Sequence, residues 1–219
     1  MTSRHWVKLF LKTLIIGGLT TAIVGFVVRW NEFMPYFTEA KVFDIISTAI
    51  WLIGMGFLFS VISQMGFFAY LTIHRFGSGI FKSLWSPVQL VLIIFALFDL
   101  VYFRYQAFAK AGENLLPYIG LAAIPLVAGI ITAWLKMRQT NTSAFIPALF
   151  FMIVATIVEW MPALRVNDHS WLYLMAFGLL ACNAYQLLIL HKINAQSVQQ
   201  REALARQTGK DRQTKSKFI

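Results

Sequence analysis

Apolar residues gather in long uninterrupted runs along this chain instead of alternating with polar ones. Six runs stand out, at 9–28, 45–73, 84–103, 115–135, 144–161 and 171–190. A helix needs about 20 apolar residues to cross the hydrocarbon core of a bilayer, and each run meets or approaches that length. The pattern predicts an all-α, polytopic integral membrane protein, a bundle of six transmembrane helices. Residues 1–8 precede the bundle and a basic tail, 192–219, follows it. The second run holds 29 residues without a charge. As a helix it is roughly 43 Å long, so it must tilt, kink or protrude.

Lys and Arg in the connecting segments orient the bundle, because cytoplasmic loops carry the excess. With the N-terminus inside, Arg4, Lys8, Lys12, Arg75, Lys82, Lys136, Arg138 and seven tail residues make 14 inside, against Arg29, Lys41, Arg104, Lys110 and Arg165 outside. Both termini are therefore expected in the cytoplasm, in a multi-pass protein of the cell membrane. The net charge of +10 then needs no nucleic acid to explain it. It predicts attraction of the inner surface to anionic lipids of the cytoplasmic leaflet. The tail is Gln-rich and basic, and is expected to be a helical extension that frays into disorder.

Composition agrees. With 58% hydrophobic and 13% charged residues, too little polar surface exists to cover a soluble sphere. The single cysteine, Cys182, lies in an apolar run and cannot form an intrachain disulfide. The first run has basic residues ahead of it, but it is longer than a signal-peptide core of roughly 7–15 residues. It ends in Arg29, Trp30 and Asn31, so it is expected to be a retained first helix.

Candidate chemistry is sparse. Ionisable groups within spans are costly and mark function by default. Asp99 in the third run and Glu159 in the fifth are expected at similar depth near the outer face, with Arg29, Arg104 and Arg165 in the same layer. This layer reads either as a proton, ion or ligand site, or as interhelical ion pairs and solvated groups that fix the bundle. Gln64 and Gln89 are expected at matching depth on the cytoplasmic side, joined by an interhelical hydrogen bond. Ser60 and Ser63 are expected to bond carbonyls of their own preceding turn. Pro125 is expected to kink the fourth helix. Small residues at Gly17, Gly18, Thr21, Ala22 and Gly25, and at Ala176, Gly178 and Cys182, suit close helix approach, within the chain or with a partner. The midplane is expected to carry almost no polar groups.

Enzyme templates are missing. There is no H-E-x-x-H and no G-x-S-x-G. His5, His74, His169 and His191 are dispersed, so neither metal nor cofactor is expected. No internal repeat of the kind common in transporters separates the two halves.

The segments ISQMGFFAYLTIHRFG at 62–77, SLW at 83–85, FDLVYFRY at 98–105 and RHWVKLFLKT at 4–13 together resemble the KinB-signalling-pathway activation protein family (KbaA). The resemblance covers most of the chain through the sixth run. It implies a small multi-span membrane protein of endospore-forming bacteria that activates a membrane sensor histidine kinase feeding the sporulation phosphorelay, without enzymatic activity. It carries over no catalytic residue. The segment 74–85 is the most distinctive cytoplasmic feature. His74, Arg75 and Lys82 supply charge, Gly77 and Gly79 are expected to make a tight turn, and Phe76, Phe81 and Trp85 are apolar anchors. It reads either as an ordinary re-entry turn or as a docking site for the kinase. The alternative function is a small transporter or ligand-binding protein that uses Asp99, Arg104 and Glu159.

Overall fold

A computed structural model describes residues 3–110 and 112–216. Among the described residues the chain is helical apart from short connections, with no strand. The helices are α1 (Ser3–Val28), α2 (Trp30–Thr38), α3 (Val42–Phe81), α4 (Trp85–Phe108), α5 (Leu116–Gln139), α6 (Phe145–Phe150), α7 (Thr156–Leu164) and α8 (His169–Ser216). A π-type turn, Phe151–Ala155, joins α6 to α7, so that Thr142–Leu164 forms one composite rod.

Five stretches are long and apolar enough to cross a membrane, judged by length and composition. One of them, Val42–Phe108, is 67 residues long and contains both α3 and α4. The chain reverses between them at Lys82, whose φ is +48°, followed by a single 3-10 turn, Lys82–Leu84. The six expected runs therefore each have a helix. The expected turn at Gly77 and Gly79 is corrected: α3 runs through both glycines and the reversal falls at Lys82. No proline interrupts α3, and a glycine costs a helix only about 1 kcal/mol. The 40 residues of α3 give it a length of roughly 60 Å, about twice the hydrocarbon thickness of a bilayer.

Three helices make the tightest part of the bundle. Gly17 of α1 lies against Gly56 of α3 so closely that a β-carbon on Gly56 would fall on the Gly17 carbonyl oxygen and 2.7 Å from the Gly18 Cα. Gly178 of α8 faces Thr21 and Phe59 in the same way. The small-residue stripes are thus consumed inside the chain, in packing of α1, α3 and α8. α4 packs chiefly on α5 and α6 instead of on α3. α5 continues unbroken through Pro125, which is buried.

The two ends of the bundle differ. At one end lie the start of α1, the α3–α4 reversal, the close of α5 and the start of α6. Contacts between Trp6 and Phe68, Tyr70 and Pro147, and Lys136 and Leu187 hold it together. This is the basic end, expected to face the cytoplasm. At the opposite end Arg29 pairs with Asp168 at 4.0 Å, and Asp168 Oδ1 accepts from the Trp171 N–H, capping the start of α8. The short helix α2, which the run pattern does not predict, lies there, with Phe33 and Phe37 against Phe26 of α1. α8 extends as helix to Ser216, so the helical part of the expected tail is present. Residues 217–219, with Lys217, lie outside the described residues.

Candidate functional site

The interior between α3, α7 and α8 holds a chain of buried polar side chains. Gln186 Nε2 donates to Ser63 Oγ at 2.6 Å and to the Cys182 carbonyl at 3.2 Å. Ser63 Oγ donates to Asn183 Oδ1 at 2.6 Å. Asn183 Nδ2 then donates to Thr156 Oγ1 at 2.9 Å and to Glu159 Oε2 at 2.7 Å. Beside it Ser60 Oγ donates to the Thr13 carbonyl at 3.0 Å and lies 3.3 Å from Cys182 Sγ. Ser60, Ser63, Thr156, Asn183 and Gln186 are all fully buried. In a medium without water such groups must find one another, and a chain of aligned donors strengthens each bond.

Local structure explains why these groups meet. Asn183 and Gln186 are three apart on α8, so they share a face. The π-type turn at Phe151–Ala155 carries one residue more per turn than an α-helix. It thereby rotates every position after it, and Thr156 and Glu159 both come to face α8. Gly66 of α3 leaves room for the Glu159 carboxylate, whose Oε1 has no hydrogen-bond partner among the described residues.

This arrangement corrects several expectations. The interior does carry polar groups, scattered singly over separate helices so that no one run advertises them. Glu159 does not join Asp99 in one network. It turns into the bundle toward Asn183, whereas Asp99 lines a separate cavity of about 510 Å³ between α4 and α7, with Arg104, Arg165, Phe103 and Met161. Ser60 and Ser63 bond other helices, not their own preceding turn. Gln64 and Gln89 do not bond each other. Gln89 is fully buried with neither amide atom partnered among the described residues, because α4 leaves α3 to pack on α5 and α6.

Arg104 is a structural clasp. Its Nη1 donates to the carbonyls of Leu164 at 2.7 Å and Val166 at 3.3 Å, which have no helical partner at the end of α7. Its guanidinium also stacks over Phe108, 4.7 Å from the ring centre.

At the basic end the expected docking residues divide into two groups. Trp85 is buried and donates from Nε1 to His74 Nδ1 at 3.1 Å. Its ring covers Gly77, where a β-carbon would collide with it, stacks on Phe81 and reaches Phe150. His74 in turn contacts Tyr70. His74 and Trp85 are thus spent inside the fold. Arg75, Phe76, Phe81 and Lys82 stay exposed, together with Ile80 and Leu84, which sequence reasoning did not single out. Phe76, Ile80 and Leu84 are 65%, 72% and 63% exposed.

Among the described residues no three His, Cys, Asp or Glu side chains converge to hold a metal ion. What the geometry offers is a clamped polar interior and a rigid hairpin that presents an apolar and basic face.

The family model for KinB-signalling pathway activation in sporulation matches residues 17–193, from the first close-packed glycine to just past the polar cluster. The chain belongs to this family. It is also similar to the KinB-signaling pathway activation protein of Bacillus subtilis (strain 168), at 48% identity over 197 residues, covering 89% of this chain and 100% of that protein. No solved structure matches. Within the family match, Asn183, Gln186 and Thr156 are the residues that sequence reasoning missed, while Ser63 was expected to bond its own helix instead of Asn183. One signal was legible: two polar amides three apart inside the apolar run 171–190.

Proposed function

We propose that this chain is a non-enzymatic membrane activator of a KinB-type sensor histidine kinase in the phosphorelay that initiates sporulation. It crosses the cell membrane six times with both termini in the cytoplasm. Its basic residues hold the anionic inner leaflet, and the kinase docks on the exposed face of the α3–α4 hairpin.

Membership of the family, and the name of the Bacillus subtilis relative, support the pathway. The observation that carries the docking face is the contrast between the two sides of one hairpin. His74 and Trp85 lock it from within, while Phe76, Ile80 and Leu84 stand exposed beside Arg75 and Lys82. An exposed apolar patch with a charged rim marks a protein or membrane contact surface, and the charges of Arg75 and Lys82 beside it favour a contact at the level of the head groups and cytoplasm.

The test is site-specific crosslinking in cells from residues 76, 80 and 82, combined with Ala substitution. Phe76→Ala, Phe81→Ala and Arg75→Ala lower kinase output at unchanged protein level. Trp85→Ala lowers the protein level itself. Full output from stably expressed Phe76, Phe81 and Arg75 variants, without a kinase crosslink, sinks the docking reading.

A second reading rests on the cavity at Asp99. Its carboxylate has neither an ion pair nor a hydrogen bond among the described residues, and it lines, with Arg104 and Arg165, an otherwise apolar space of about 510 Å³, within the size range of ligand pockets. In that reading the chain is a ligand-binding protein or small transporter, and Asp99→Asn alters ligand or proton coupling while leaving the hairpin intact.

A further inference from the structure

The cavity of about 510 Å³ between α4 and α7 sets three charged side chains among otherwise apolar ones. α4 touches the α6–α7 rod at the π-type turn Phe151–Ala155, and again at the far end, where Arg104 reaches the carbonyls of Leu164 and Val166. Between these two points the helices stand apart. Phe95, Phe103, Val158 and Met161 wall the space and are all exposed. It therefore opens sideways on the flank of the bundle, the side that meets lipid in a membrane.

The charges form two tiers. Arg104 and Arg165 lie beside the close of α7. Asp99 precedes Arg104 by five residues on α4, which puts it about 7.5 Å nearer the middle of the bundle. Arg104 is spent on the α7 carbonyls. Asp99 and Arg165 are not spent. Neither has an ion pair or a side-chain hydrogen bond among the described residues, and although they share one cavity and carry opposite charge, they do not pair with each other. Asp99 is half-buried and Arg165 is exposed, so both can be reached by an occupant.

This lining suits a molecule with an anion at the outer tier, a hydrogen-bond donor below it, and hydrocarbon beyond. Membrane lipids match that order unequally. A diacyl phospholipid has a phosphate for the outer tier, but the groups beneath it are ester oxygens. Those only accept, and would face the Asp99 carboxylate oxygen to oxygen. The ammonium or hydroxyls of its head group extend outward from the phosphate, away from Asp99. A fatty acid has no donor below its carboxylate. A lysophospholipid has one, the free glycerol hydroxyl between phosphate and chain. Its single chain also suits a volume in the lower half of the roughly 300–1,000 Å³ range of ligand pockets.

We propose that this cavity binds a lysophospholipid, with its phosphate on Arg165, its free glycerol hydroxyl donating to the Asp99 carboxylate and its acyl chain along Phe95 and Val158. This rests on the second reading above, in which the cavity is a ligand site, and names the ligand. The bound lipid bridges α4 and α7 beside the Arg104 clasp.

The test uses the full chain in nanodiscs of phosphatidylglycerol and phosphatidylethanolamine, titrated with probes that carry a diazirine in the acyl chain. The probes are lysophosphatidylglycerol, its 2-O-methyl ether, which cannot donate from that position, and a monoacylglycerol, which keeps the hydroxyl and lacks the phosphate. Crosslinks are mapped by mass spectrometry. Lysophosphatidylglycerol labels segments 92–108 and 154–165 and is competed by its unlabelled form. The ether and the monoacylglycerol each need roughly tenfold more probe for half-maximal labelling, as loss of one bond to a charged group implies. In Asp99→Leu the lysolipid and its ether label alike, and in Arg165→Gln the lysolipid and the monoacylglycerol do. Each comparison is made within one variant, so a general loss of fold does not mimic it. Val158→Trp, which fills the cavity from its exposed rim, removes labelling by every probe. Equal labelling by lysolipid and ether in the parent, abolished by Val158→Trp, overturns the proposal and keeps the cavity as a ligand site of another chemistry. Absent labelling, or labelling unchanged in folded Val158→Trp, overturns the proposal and counts against the ligand-site reading too.

Discussion

A carboxylate oxygen of Glu159 occupies the space that a β-carbon on Gly66 would need. The two residues lie on α3 and α7, far apart in sequence, and the glycine exists at this point of α3 because an acid from another helix lies over it. Gly66→Ala is therefore expected to destabilise the chain, and truncation of Glu159 to Ala to relieve that specific loss. In a double-mutant cycle read by thermal unfolding in detergent, the coupling is expected to be about 1–2 kcal/mol, within the usual range for residues in contact. Additive losses would show that the alanine is absorbed elsewhere.

Asn183 is the junction of the interior polar chain, since it accepts from Ser63 and donates to Thr156 and Glu159. Asn183→Leu leaves those groups buried without a partner, at a cost of roughly 1–3 kcal/mol. A chain of this size loses about 2–4 °C of midpoint per kcal/mol, so a clear downward shift is expected. Glu159→Gln keeps an oxygen that accepts from Asn183 Nδ2 and is expected to stay closer to the parent. The ordering of the two midpoints is the measurement.

Two glycines of α3 differ sharply in surroundings. A β-carbon on Gly56 meets the backbone of Gly17 and Gly18, whereas one on Gly54 meets nothing within 4 Å. Backbone cannot swing aside, so Gly56→Ala forces α1 off α3 and is expected to cost 2 kcal/mol or more, about what a severe packing fault costs. Gly54→Ala is expected within about 0.5 kcal/mol of the parent, or slightly more stable through helix propensity. Fluorescence-detected gel filtration after heating distinguishes them.

Arg104 holds the end of α7 by two carbonyls. Arg104→Met keeps much of the stem's packing but leaves those carbonyls without their donor. The expected loss is roughly 1.5–3 kcal/mol, since hydrogen bonds to a charged group are the stronger kind. Proteolysis near Leu164 and Val166 is expected to quicken in the variant, and an unchanged cleavage rate would count against the clasp.

Legibility in the sequence followed the physics of each signal. Runs of apolar residues are local, and the six expected helices all appear. The close-packed stripe at Gly17, Thr21 and Gly25 was visible by spacing alone, although its partner, α3 and α8 of the same chain, was not. What stayed hidden was convergence. Ser63 and Thr156 each look like an isolated polar residue in an apolar run, Asn183 and Gln186 show only that they share a face, and nothing in the runs says that α3 and α7 meet that face. Asp99 and Glu159 look alike by depth, yet they lie on different sides of α7. Hydropathy gives depth along an axis and carries no azimuth. The same blindness left Trp85 open between a turn anchor and a docking residue, because an aromatic beside a turn has the same sequence signature in both roles; in the fold it packs on Gly77 and His74.

The contact of Gly56 with Gly17 divides α3 into unequal arms. About 21 Å of helix lies on the Val42 side of that point and about 38 Å on the Phe81 side. The longer arm is the one held at several points, by Glu159 over Gly66 and by the Tyr70 hydroxyl on the Pro147 carbonyl. The stretch that carries Phe76 and Ile80 is thus braced by α6 and α7 beyond its contact with α1, and a change at that end reaches the polar interior before it reaches Gly56.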